Sequence, residues 1–168
     1  MVTSTLTIAL SLSFLASFHG KIHASDSNLS KAWQLFSKGD DLYTEKKFDL
    51  ALRYYFAALD LSPSMSKAYY RIGIIYGPLR RKYKKATEFF LKSIKFDFQD
   101  PNAYHGLGIT YCMAGDEHLG SKFLLKAGMI WYHQGKPSGA TISFSISPNL
   151  LPCFPLHRDT NEQGKDDQ

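Results

Sequence analysis

From residue 30 onward apolar residues recur at three- and four-residue steps, and the pattern is cut at intervals by Gly, Pro or Ser. That arrangement predicts a succession of amphipathic helices joined by short turns. Ser30 is placed to cap a helix over 31–44, with Ala32, Leu35, Gly39 and Leu42 on one face. A second helix over 48–61 carries Phe48, Ala51, Leu52, Tyr55, Ala58 and Leu59 on its stripe, and Pro63 stops it. A third opens after Ser64 or Ser66, with Ala68, Tyr69, Ile72, Gly73 and Tyr76 inward, and breaks at Gly77-Pro78 before a fourth over 82–96. Asp100-Pro101 supplies an N-cap followed by a proline whose missing N–H costs nothing at a helix start. The fifth helix then faces inward through Ala103, Tyr104, Leu107, Gly108 and Tyr111. Gly115 and Asp116 end it and cap a sixth that reaches about residue 131, with Gly120, Phe123, Leu124 and Ala127 inward.

Within these elements Gly39, Gly73 and Gly108 repeat at intervals of about 34 residues. A second small residue follows each at about a dozen residues: Ala51, Ala86 and Gly120. The step from Gly73 to Ala86 is one residue longer than that from Gly39 to Ala51, which predicts an insertion in the turn of the second pair. Small residues at a helix crossing let backbones approach. The expected contacts are therefore Gly39 with Ala51 and Gly108 with Gly120, with Tyr55, Phe90 and Leu124 filling the adjoining volume.

On these residues the chain resembles the tetratricopeptide-repeat family. The first unit, 32–65, matches through Leu35, Gly39, Phe48, Ala51, Tyr55, Ala58 and Pro63. The second, 66–100, keeps Tyr69, Ile72, Gly73, Tyr76, Ala86 and Phe90, with Ser93 at a small-residue position and Phe98 where the closing proline would lie. The third, 101–134, keeps Tyr104, Leu107, Gly108, Tyr111 and Ala127, has Gly120 for the usual alanine, and lacks the closing proline. The resemblance implies an all-α, right-handed superhelical array of antiparallel helix pairs whose first helices line a concave groove. By position that groove would hold Trp33, Phe36, Asp40 and Tyr43, then Tyr70, Arg71 and Ile74, then Asn102, His105 and Ile109. Relatives that grip the acidic C-termini of heat-shock chaperones use Lys, Asn and Arg at five groove positions. Here those positions carry Phe36, Asp40, Arg71, Asn102 and Gly106, so that clamp is absent.

Before the array, residues 2–20 contain no charged side chain and Leu6 to Phe18 form a Leu/Ala/Ser-rich run. This reads as an export signal over 1–24, cleaved after Ala24, although no Lys or Arg precedes the run. The alternative is an uncleaved membrane tether through 2–20. Residues 25–30 form a linker, and Asn28-Leu29-Ser30 matches an N-glycosylation acceptor, a short pattern that says nothing of origin. After Gly135, Ile142, Phe144 and Ile146 alternate with Ser143 and Ser145, which predicts a short extended segment in an irregular Ser/Pro-rich tail over 135–168, polar and disordered toward its end. No capping helix is legible. Phe123, Met129, Ile130 and Trp131 are therefore expected to await cover by the tail, another protomer or a partner.

Composition adds little. The 168 residues carry 44% hydrophobic residues, enough for a core, and a formal charge of +5 that falls short of a nucleic-acid binder's cationic density. The run Arg80-Arg81-Lys82-Tyr83-Lys84-Lys85 reads either as a solvated loop or as a contact for phosphate or an anionic membrane. Cys112 and Cys153 form no CxxC motif, and a single bridge between them requires export. His105 and Cys112 share a helical face as a bare pair of zinc-ligand types, and no metal site or cofactor is assigned. Gly106-Leu107-Gly108 lies within a helix rather than after a strand, so it is no nucleotide loop. No catalytic motif is present. The expectation is a non-catalytic scaffold for a protein or peptide, or else a small subunit or assembly factor of a secretory or envelope complex, oligomerising through its uncapped last repeat.

Overall fold

The computed structural model describes residues 27–145. Its elements are α1 (27–44), α2 (Phe48–Leu61), α3 (Ser66–Ile74) continued by a π turn (Ile75–Leu79), α4 (Tyr83–Phe96), α5 (Pro101–Met113), α6 (Glu117–His133) and α7 (Pro137–Ser145). No strand occurs among the described residues. The chain divides into two compact units, Met1–Ala68 and Tyr69–Gln168, at a boundary inside α3.

In the first unit α1 and α2 form a hairpin. Ala32, Ala51, Tyr55 and Ala58 are fully buried, and the Tyr55 ring lies where a side chain at Gly39 would stand. A Cβ at Gly39 would meet the Tyr55 ring first, so the glycine makes room for an aromatic side chain. Ser30 lies inside α1 rather than capping it, because the helix starts at 27.

In the second unit α3 packs on α4, α4 on α5, α5 on α6 and α6 on α7. Phe90 is fully buried and clasped on its ring by Gly73 from α3 and Gly106 from α5. Gly108 and Gly120 meet directly: a Cβ on either would come within 3.0 Å of the other's carbonyl oxygen. Leu107 and Leu124, both fully buried, close the space beside them, each contributing ~2 kcal/mol. Ser93, also fully buried, serves as the small residue of its unit.

The extra residue of the second pair sits in the helix, not in the turn. Pro78 has no N–H to donate, so the regular ladder cannot continue through it. The chain widens into a π turn over Ile75–Leu79 instead of breaking, which absorbs one inserted residue. Ala86 consequently faces Gly77, while the Phe90 ring stands closest to Gly73.

Four of the interhelical turns close alike, three with a bond spanning five residues and the one after the π turn with a bond spanning six. The amide nitrogens of Lys47, Lys82, Asp116 and Lys136 donate back to the carbonyls of Leu42, Tyr76, Tyr111 and Trp131 at 2.7–2.9 Å. In each, the preceding residue is left-handed: Lys46 (φ 60), Arg81 (φ 53), Gly115 (φ 90) and Gly135 (φ 69). This closes a helix by returning its last carbonyls to the chain. Two turns use glycine and two force a long side chain into a region that disfavours it. Helices α5 and α6 begin on side-chain caps, where Asp100 accepts from the Asn102 amide and Asp116 from the Leu119 amide.

α7 corrects the expectation of an irregular segment after Gly135. Pro137 opens a helix where its lost N–H is harmless. Gly139 then lies flat against the Trp131 ring. The end of the array therefore carries the helix that the sequence did not reveal. Residues 1–26 and 146–168, with the signal, Cys153 and the remaining tail, lie outside the described residues.

Candidate peptide-binding surface

The first unit holds a cleft of about 330 Å³ lined by Leu29, Trp33, Ser62, Ser64, Met65, Ser66 and Lys67. α1 supplies Trp33, which is 42% exposed and braced edge-on by Phe36. The turn after α2 supplies Ser62, Ser64 and buried Met65, and Ser66 opens α3. Lys67, at the start of α3, holds its ammonium 5.3 Å from the Trp33 ring centroid. An indole face, a thioether and a cation thus converge beside three hydroxyl groups. Such a site suits an apolar side chain next to an acidic one.

Of the expected groove residues in this unit, Trp33 alone is broadly exposed. Phe36 is 8% exposed and packs on Tyr55, so it belongs to the core. Asp40 accepts a hydrogen bond from the Tyr55 hydroxyl at 2.6 Å, which spends one carboxylate oxygen on bracing the hairpin. Tyr43 stacks edge-on against Phe48. Sequence reading missed Leu29, Met65 and Lys67, which lie before the first repeat position, in the turn after α2 and at the start of α3.

In the second unit Tyr70 is half-buried against Phe90, with the Arg71 guanidinium 6.0 Å from its ring centroid. Ile74 and Ile109 are half-buried. Asn102 is exposed, and its side-chain amide donates to Asp100, reinforcing the start of α5. His105 departs most from expectation. Its Nδ1 lies 2.9 Å from the Oγ of fully buried Ser143 on α7, and Trp131 stands edge-on to the ring. Burial holds its pKa below the usual imidazole value. α7 therefore packs on His105, which is half-buried and has its Nδ1 engaged by Ser143. Cys112, packed against Gly120, is not a free thiol, so the His105 and Cys112 pair offers no metal site as it stands.

No protein-family model matches the sequence, and no curated protein matches it. Solved structures do. An Arabidopsis OM64 TPR domain superposes with a TM-score of 0.62 at 15% identity, over 70% of this chain and 94% of that one. The chain has the tetratricopeptide-repeat fold. The first TPR of Spaghetti (RPAP3), solved bound to the HSP90 peptide SRMEEVD, matches this TPR array with a TM-score of 0.58 at 15% identity, over 70% of this chain and 95% of that one. YrrB, described as a TPR protein with an unusual peptide-binding site, matches with a TM-score of 0.52 at 21% identity, over 70% of this chain and 67% of that one. Within the TPR array the five clamp positions hold buried Phe36, engaged Asp40, Arg71 beside Tyr70, Asn102 at a helix cap and Gly106 beneath Phe90.

Proposed function

We propose that this chain is a non-catalytic scaffold that holds an extended polypeptide of a partner protein on the first-helix side of its hairpins, with Trp33 as the principal anchor. The observation that carries this reading is the cleft in which the exposed Trp33 indole meets Met65, three serines and the Lys67 ammonium. An apolar side chain followed by an acidic one is the ligand chemistry it fits. Peptide binding by structures of the same fold supports the class of ligand, while the absent clamp argues against a chaperone C-terminus. Selection from a random peptide library tests it. Enriched peptides should pair an apolar with an acidic residue and lose at least ~10-fold in affinity on Trp33→Ala, the typical loss for a central aromatic anchor. Failure to enrich any peptide, or enrichment indifferent to Trp33, would contradict the proposal.

Export is part of the same reading. The uncharged run through residue 20 and a bonded rather than free Cys112 both suit an oxidising compartment. Mass spectrometry of the mature protein should find Ser25 at its N-terminus; an intact Met1 in the membrane fraction would favour the tether.

A further inference from the structure

The outward side of α4 has a composition that no other described helix shares. Successive exposed positions place Lys84, Lys85, Glu88, Leu91, Lys92 and Lys95 on one side of the helix, four cations against one acid. The turn just before it adds Arg80, Arg81 and Lys82. The corresponding side of α2 carries Asp49, Arg53 and Asp60, with no net positive charge.

These cations rest on a built support. Tyr76, Phe89, Tyr69 and Phe96 form a continuous row of rings, with neighbouring centroids 5.6–6.4 Å apart and planes within 27° of parallel. Lys85 sits 4.3 Å above Tyr76, Lys92 sits 5.5 Å above Phe89, and Lys95 sits 5.8 Å above Phe96. Each of these ammonium groups is held over a ring while its residue stays exposed, so the positive charges form an ordered layer. Apolar groups stand among them. Leu91 is 46% exposed on the same side, Phe96 is 42% exposed at the end of the row, and Phe98 is 68% exposed just beyond the helix.

We propose that this side of α4 docks the protein on an anionic phospholipid surface. A cluster of basic side chains on a helix that also presents apolar tips matches both layers of such a surface, with ammonium groups meeting the headgroups and Leu91 and Phe96 entering the interfacial region. A single-stranded nucleic acid is the poorer fit, because it needs open aromatic faces for its bases, and these faces are stacked on one another and covered by lysines. An acidic peptide makes use of the charges but leaves Leu91 and Phe98 in water. The docking is independent of the peptide cleft, which belongs to the other compact unit.

Vesicle co-sedimentation of the full chain tests this. Two vesicle types are compared, phosphatidylcholine alone and phosphatidylcholine with phosphatidylserine. The protein is wild type, a variant with Lys84, Lys85, Lys92 and Lys95 all changed to Gln, or a control with Lys31, Lys38, Lys46 and Lys47 changed to Gln. Each lysine near an anionic surface is worth about a fivefold change in partitioning, so the α4 variant should bind serine-containing vesicles at least ~100-fold more weakly while the control loses far less. Circular dichroism confirms that the variants remain helical. Raising the salt from ~0.1 to ~0.5 M should weaken the wild-type binding as well. Equal binding to both vesicle types, equal losses in the two variants, or retention of polyglutamate or RNA with no vesicle binding would each overturn the proposal.

Discussion

Replacing Gly108 with alanine tests whether α5 and α6 cross at backbone contact. A Cβ there would lie 2.8 Å from the Leu124 Cγ, 2.9 Å from the Gly120 carbonyl oxygen and 3.0 Å from the Leu124 amide nitrogen. Two of those three neighbours are backbone atoms, which no change of rotamer can move. Reaching ordinary contact requires the helices to part by ~0.5 Å, a gap that forfeits a quarter or more of the dispersion energy along the seam. Overpacking of this kind costs ~1–3 kcal/mol, and the better helix propensity of alanine returns ~1 kcal/mol. The net loss is ~1 kcal/mol, which lowers the melting temperature by about 3–6 °C for a domain of this size. Thermal unfolding followed by circular dichroism at 222 nm measures it. A melting temperature at or above that of the wild type would refute the reasoning, since propensity alone would then decide the outcome.

Two further predictions follow from the turns and from the last repeat. Lys46→Gly and Arg81→Gly should each raise stability by ~0.5–1 kcal/mol in chemical denaturation, because both positions are left-handed and glycine relieves the strain at a smaller entropic cost; a loss of stability at both sites would count against the turn geometry. Because burial lowers the pKa of His105 below 6.5, the folded state holds it neutral, so its contribution is complete above pH 6.5 and is lost as the pH falls below that value. His105→Gln should therefore flatten the decline in melting temperature between about pH 7 and 5, and an unchanged slope would show that α7 does not bury this ring.

The helices were legible because each has an apolar stripe of helical period, and because Asp100-Pro101 and Gly115-Asp116 punctuate the chain with capping chemistry that acts locally. The bounds of α2 and the caps of α5 and α6 follow from such signals alone. The π turn was legible only as a count of one extra residue. Whether that residue enters the turn or the helix depends on the missing N–H of Pro78 and the packing of Gly77 on Ala86, a tertiary contact. α7 was hidden because Ile142, Phe144 and Ile146 alternate like a strand, whereas the helix is stabilised by docking Gly139 on Trp131 and Ser143 on His105. The surface was the least legible part. Repeat position predicts which side of a helix a residue occupies, but not that Tyr55 captures Asp40 or that Lys67 crosses to Trp33.

The most direct test of the architecture is a set of nuclear Overhauser contacts from the glycine α-protons of the purified protein. The account predicts contacts from Gly39 to the Tyr55 ring, from Gly73 and Gly106 to the Phe90 ring, and between Gly108 and Gly120. Glycine α-protons that show only sequential contacts, without upfield ring-current shifts at Gly39, Gly73 and Gly106, would contradict it.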